Sequence, residues 1–95
     1  MHHILFYDYV PDIVQRRGPY REGHLAAIAA EQQAGRVIMA GALGDPPHGA
    51  AIVFGDAAVD EIEAFVAADP YVRAGLVRGH RIELWTVVTP PGGRA

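Results

Sequence analysis

The 95-residue chain has no cysteine and no serine, and all eight of its basic residues are arginine. Without cysteine there can be no disulfide, no thiolate metal site and no cysteine nucleophile. Without serine, a Ser-His-Asp nucleophile arrangement is excluded as well. No apolar run approaches the ~20 residues of a membrane-spanning helix. The opening Met1-His2-His3-Ile4-Leu5-Phe6 lacks the basic start and small-residue cleavage site of a secretory leader. The expectation is a soluble, cytoplasmic chain. A basic surplus is also missing: the formal net charge is −3 and the arginines are scattered. That excludes the continuous basic track of a nucleic-acid binder. Only Arg16, Arg17 and Arg21 lie close together, enough to hold one anion.

A chain of this length makes one domain, and a small one buries a modest fraction of its surface. With no disulfide or thiolate metal site to help, association with a second copy is the natural remedy. One domain over 1–89 and a flexible C-terminal tail over 90–95 are expected.

From His2 to Val10 the residues are aromatic and β-branched, which reads as a strand. Leu5, Tyr7 and Tyr9 lie on one side and Ile4, Phe6 and Val10 on the other, so both faces call for cover. Pro19 suits the first turn of a helix. Leu25, Ile28, Ala29 and Gln32 then trace a helical stripe that Gly35 ends. Residues Arg36 to Leu43 and Ala50 to Phe54 read as a strand pair around the Gly44–Gly49 loop. Asp56 is placed to cap a second helix, with Val59, Ile62, Phe65 and Val66 as its buried stripe. That helix must stop before Pro70. Tyr71 to Gly79 is a short connection with room for a helical turn, and His80 to Val88 is the last strand. The order βαββαβ is that of an α+β, ferredoxin-like domain, an antiparallel four-stranded sheet with both helices on one face. A second copy over the bare face would make a homodimer.

Two polar residues stand where the stripes predict burial. His24 precedes Ile28 by one helical turn, at the edge of the inward stripe, and Asp69 follows Val66 by three. A carboxylate against an imidazole orients the ring and raises its basicity, which suits proton transfer near neutral pH. The same pair would serve equally as a packed, hydrogen-bonded structural element. Arg21, one turn before His24 and near Arg17, is placed to anchor a carboxylate or phenolate, or else to pair with a glutamate in solvent. Tyr71 offers a phenol to the same place, or simply an amphipathic ring for packing. His80 aligns with Ile82 and Leu84 and reads as structural, and His48 as an exposed loop residue. The five histidines lack metal-ligand spacing, and glycine-rich phosphate loops are missing, so neither metal nor cofactor is expected.

Arg21-x-x-His24-Leu25, Gly35-Arg36 running to Ala40-Gly41, and Ala68-Asp69-Pro70-Tyr71-Val72-x-Ala74-Gly75 together resemble the YCII-related family, in order and spacing from Ile4 to Val87. The resemblance implies a ferredoxin-like fold that pairs into a dimeric α/β barrel. It also implies His24 and Asp69 as a catalytic pair, with Arg21 as a pocket residue. Family members often carry a longer segment between the second and third strands and a serine or threonine in the third. Here Ala50-Ala51 stand in that place, with His48 as a substitute polar group.

The expectation is therefore an enzyme that works on a small anionic or phenolic molecule without cofactor. His24 would be its proton shuttle, Asp69 the orienting partner, and Arg21 and Tyr71 the substrate contacts. The reaction would be an elimination, isomerisation or hydrolysis. The alternative is a non-catalytic dimeric ligand-binding or accessory module, and a third reading is a cofactor-free monooxygenase of the wider dimeric barrel group.

Overall fold

In a computed structural model that describes residues 1–93, the strands β1 (His2–Tyr9), β2 (Val37–Leu43), β3 (Gly49–Gly55) and β4 (Val77–Trp85) form one sheet. Its order is β2-β3-β1-β4 and every pairing is antiparallel. The helices are α1 (Ile13–Arg16), α2 (Gly18–Gln33), α3 (Val59–Ala68) and α4 (Pro70–Arg73). This is the α+β, ferredoxin-like arrangement that the element order predicts.

β1 is an interior strand between β3 and β4, and of its two apolar sides the one with Ile4 and Phe6 stays half buried. Leu5, Tyr7 and Tyr9 are buried under the helices. Leu5 pairs with Ile52 on one side and Ile82 on the other, and Tyr7 with Ala50 and His80. The apolar core gathers these with Ile13, Phe54, Ile62, Phe65 and Leu76. Phe54 and Phe65 meet edge to face at 5.7 Å between centroids, a favoured aromatic geometry.

Several boundaries differ from the sequence reading. Asp56 does not cap α3. It sits at φ 54 in the turn, where its carboxylate accepts a hydrogen bond from the Met1 ammonium at 2.9 Å. The cap position is Ala58, whose N–H is taken by Glu61 Oε1 at 3.0 Å. Ile62, Phe65 and Val66 are buried as expected, but Val59 remains exposed in the first turn. The last strand starts at Val77 and ends at Trp85, three residues ahead of the expected span, because β1 pairs it from Tyr9↔Val77 to His2↔Trp85. The expected helical turn after Asp69 is α4, and α1 is an unforeseen single turn after Pro11.

The inward face of α2 is also rotated. His24 is its one buried residue, and Ala27 and Ile28 are half buried, whereas Leu25, Ala29 and Gln32 are exposed. Alanines on every side of this helix leave its apolar stripe poorly defined, so a polar anchor sets its phase. Of the expected tail, Pro91–Gly93 forms a single 3-10 turn, and residues 94 and 95 lie outside the described residues.

Gly49 is required by close packing. A Cβ there would fall on the Tyr7 carbonyl oxygen of the neighbouring strand, whereas Gly79 on β4 has open space at the same point. Gly49→Ala should therefore destabilise the fold by about 1–3 kcal/mol. Gly79→Ala should be neutral or gain a few tenths, in line with its smaller unfolded-state entropy. Urea melts of the two variants test this, and equal effects would contradict it.

Candidate functional site

The site is built on Asp69, which is fully buried at the junction of α3 and α4. Pro70 drives the residue before it out of helical geometry, and Asp69 accordingly has extended backbone angles, φ −67 and ψ 123. Its side chain then serves as the N-cap of α4, where Oδ1 accepts the Tyr71 N–H at 3.0 Å. The same oxygen lies 2.9 Å from His24 Nδ1, and Oδ2 lies 3.0 Å from it. Oδ2 also accepts the Tyr7 hydroxyl at 2.7 Å. Three elements (β1, α2 and α4) thus deliver donors to one carboxylate.

This arrangement sets the chemistry of His24. Nδ1 faces a carboxylate, which accepts, so Nδ1 is the donor, and in the neutral ring the lone pair is then on Nε2. Nε2 has no protein partner among the described residues. The imidazole is 5% exposed and stacks on the Tyr71 ring at 3.8 Å between centroids, with 3° between the planes. Tyr71 in turn meets Tyr9 edge to face at 5.9 Å. The ring is held by a carboxylate at one nitrogen and an aromatic plate on its face, and the second nitrogen remains available.

The surrounding phenols are kept protonated. Burial, reinforced by the Asp69 carboxylate, pushes the Tyr7 hydroxyl far above its ordinary value of 10.0. Burial, with Tyr71 and Asp69, does the same at Tyr9, against a smaller lowering by Arg17. At Tyr71 burial also raises the value, and the Arg17 and Arg21 guanidiniums oppose it.

His24 and Tyr71 line a cavity of about 260 Å³ between α2 and the β2–β3 end of the sheet, with Arg17 and Arg21 also on its wall. Leu25 and Ile28 face it from α2, and Ala42 and Ala50 from the strands. An imidazole nitrogen with a lone pair, two cations and an apolar lining together suit proton transfer on a small molecule with an acidic oxygen. Among the described residues, no group of three or more histidines and acidic residues is placed to hold a metal ion.

The four residues singled out from the sequence, Arg21, His24, Asp69 and Tyr71, come together. His48 does not join them: it is exposed in its loop and absent from the cavity wall, so it does not stand in for a strand hydroxyl. His80 lies apart, with Nε2 2.6 Å from Glu63 Oε1 at the surface. Sequence reasoning missed Tyr7 and Tyr9. The signal was a phenol on a buried strand face, since such a hydroxyl needs a polar partner in the core.

Comparison with known proteins bears on the family and the fold. The YCII-related domain is matched over residues 1–86. Among solved structures, the chain is similar to the 5-chloro-2-hydroxyhydroquinone dehydrochlorinase of Burkholderia phenoliruptrix, solved in complex with 2,5-dihydroxybenzoquinone. That similarity has a TM-score of 0.76 and 22% identity, covering 90% of this chain and 94% of that one. A candidate antibiotic biosynthesis monooxygenase from Bacteroides thetaiotaomicron aligns with a TM-score of 0.59 and 15% identity, over 96% of this chain and 91% of that one. Protein Atu4242 of Agrobacterium tumefaciens aligns at 0.58 and 13%, over 95% and 96%. At these identities the structural likeness speaks for the fold alone. No curated protein matches the sequence. No helix among the described residues is long and apolar enough to cross a membrane.

The raised tyrosines make stability depend on alkaline pH. The native state keeps protons that the unfolded chain gives up near its ordinary value of 10.0. Their contribution is therefore complete below about pH 10 and is lost as pH rises toward the folded values. With neither lysine nor cysteine present, tyrosines dominate titration in that range. Urea melts between about pH 8 and about pH 11 should show falling stability, and Tyr7→Phe should flatten the fall. An unchanged slope in that variant would contradict the assignment.

Proposed function

The chain belongs to the YCII-related domain family, and from that premise we propose a small-molecule enzyme that works by acid–base chemistry without cofactor. The observation that carries the proposal is His24, held at Nδ1 by the buried Asp69 carboxylate while its Nε2 is left for the arginine-lined cavity. In this reading Nε2 removes a proton from a carbon next to a carbonyl, or from the hydroxyl of a phenol. The electron pair moves onto oxygen, and Arg21, with Tyr71 beside it, steadies the enolate-like anion. The imidazolium, facing Asp69, then returns its proton to the intermediate or to a departing group. Elimination and isomerisation follow from that start; in a hydrolysis the same nitrogen would instead take a proton from a water that attacks the carbonyl, and would return it to the group whose bond to that carbonyl breaks. The dehydrochlorinase similar to this chain, with its dihydroxybenzoquinone, supports a small oxygen-bearing substrate.

His24→Asn is the informative variant, because an amide N–H can still reach Asp69 while the Nε2 base is gone. On a panel of chlorinated dihydroxyphenols and keto acids, chloride release and deuterium uptake should fall by about 10²–10⁴-fold. The melting midpoint should barely move. Retained turnover would end the acid–base reading.

The second reading is a ligand-binding or accessory module. It is favoured by the completeness with which Asp69 is satisfied and His24 stacked, as in a purely structural knot. Under it the wild-type protein turns over nothing on the panel, and His24→Ala costs stability because Asp69 loses a donor.

The proposal includes a homodimer formed through the sheet face opposite the helices. By register Ile4, Val53 and Met39 lie side by side on that face, and Met39 is 63% exposed. Met39→Glu should leave a folded monomer where the wild type sediments as a dimer, and a monomeric wild type would remove this part of the proposal.

A further inference from the structure

Two phenols stand two residues apart on the helix-facing side of β1, and only one of them has a protein partner. The Tyr7 hydroxyl donates to Asp69 Oδ2 at 2.7 Å. Tyr9 is 5% exposed, yet among the described residues the hydrogen bonds of this cluster leave its hydroxyl out. A phenylalanine would bury the same ring without an idle hydroxyl, which costs free energy in the core. The oxygen is not sealed in, because His3 Nδ1 is the one enclosed side-chain nitrogen or oxygen without a partner among the described residues. The Tyr9 hydroxyl therefore reaches solvent, and the opening that Tyr9 lines is the cavity of His24, Arg17 and Arg21. Burial keeps its proton in place, with Tyr71 and Asp69 adding to the effect and Arg17 opposing it, so the group is a donor at neutral pH. The Arg17 guanidinium acts on both Tyr9 and Tyr71, which places it near the two hydroxyls.

We infer that Tyr9 is a further substrate-contact residue, whose hydroxyl donates alongside the Arg17 guanidinium to an anionic oxygen of the molecule in the cavity. Two donors on one oxygen, one of them charged, make a strong and directional contact. No aspartate or glutamate stands among the lining residues to compete for it. The contact rests on the reading of this cavity as a substrate site, but it is read by binding alone and needs no proton transfer.

4-Nitrophenolate is the probe that tests it, since its visible band moves to shorter wavelength when its oxygen accepts a hydrogen bond. At about pH 8, where tyrosine is protonated, the wild-type protein should bind it with such a shift. Tyr9→Phe removes one oxygen and no protein hydrogen bond, so its urea midpoint should hold. Its dissociation constant for the probe should rise roughly tenfold or more, with a smaller band shift. Arg17→Gln should weaken binding too, and the double variant by less than the product of the two, as groups that share one oxygen require. Tyr20→Phe, at an exposed phenol off the cavity wall, should change nothing. No binding by the wild type, unchanged binding in Tyr9→Phe, or a fully multiplicative loss in the double variant overturns the inference. So does a urea midpoint that falls in Tyr9→Phe, which would make the hydroxyl structural. Weakened binding in Tyr9→Phe while His24→Asn retains turnover would end the acid–base reading and leave this contact standing. Unchanged binding in Tyr9→Phe with turnover still dependent on His24 would do the reverse.

Discussion

A carboxylate with no solvent contact costs several kcal/mol unless donors surround it, and the arrangement of this small domain follows from meeting that demand at Asp69. Tyr7 from β1, His24 from α2 and the Tyr71 N–H from α4 all converge on its two oxygens. Removing any one leaves a buried acceptor short, and removing Asp69 leaves three donors without a partner. The contact also holds α2 in place. That helix buries a histidine where a surface helix normally buries leucine or isoleucine, so its rotation about its own axis is set by a hydrogen bond.

A polar anchor of this kind has a consequence for the rest of the helix–sheet interface. Because α2 is not drawn onto the sheet by a broad apolar stripe, it need not close over β2 and the near end of β3. The alanines there leave the gap open, and Arg17 just before α2 and Arg21 in its first turn line its wall. The filled end of the core, with Phe54, Phe65 and Ile62, carries the hydrophobic stabilisation, while the other end holds the polar cluster and the cavity. Separation of the two along one sheet lets a chain of this size keep a cavity and a core together.

How much of this was legible depends on which residue is asked. His24 and Asp69 stood out because each is polar at a position where helical spacing calls for burial, and Asp-Pro-Tyr signals a helix break whose cap is the aspartate. Tyr7 did not stand out, since in the alternation of β1 a tyrosine reads as one more apolar residue and its hydroxyl goes unnoticed. Asp56 has the composition of a cap, but α3 begins at Val59 with Ala58 at the cap position, so Asp56 stands two residues too early and its carboxylate meets the Met1 ammonium instead. The phase of α2 was obscured by alanine, which is equally at home on either face. The start of β4 was set by its pairing with β1, which local residue preferences do not encode.

By itself the sequence determined the order of elements, the α+β class, the break at Pro70 and the identity of the polar residues that would have to be buried. These follow from local backbone restriction and from hydrophobic periodicity, both of which act over a few residues. Only the tertiary structure decided that His24, 45 residues from Asp69 along the chain, lies within hydrogen-bond distance of it, and that Tyr7, 62 residues away, completes the set. It also decided that the alanines of β2 and β3 come to lie across a cavity from the arginines. Those placements depend on strand order and register, and a hydrogen bond between distant segments forms only after the sheet has brought them together.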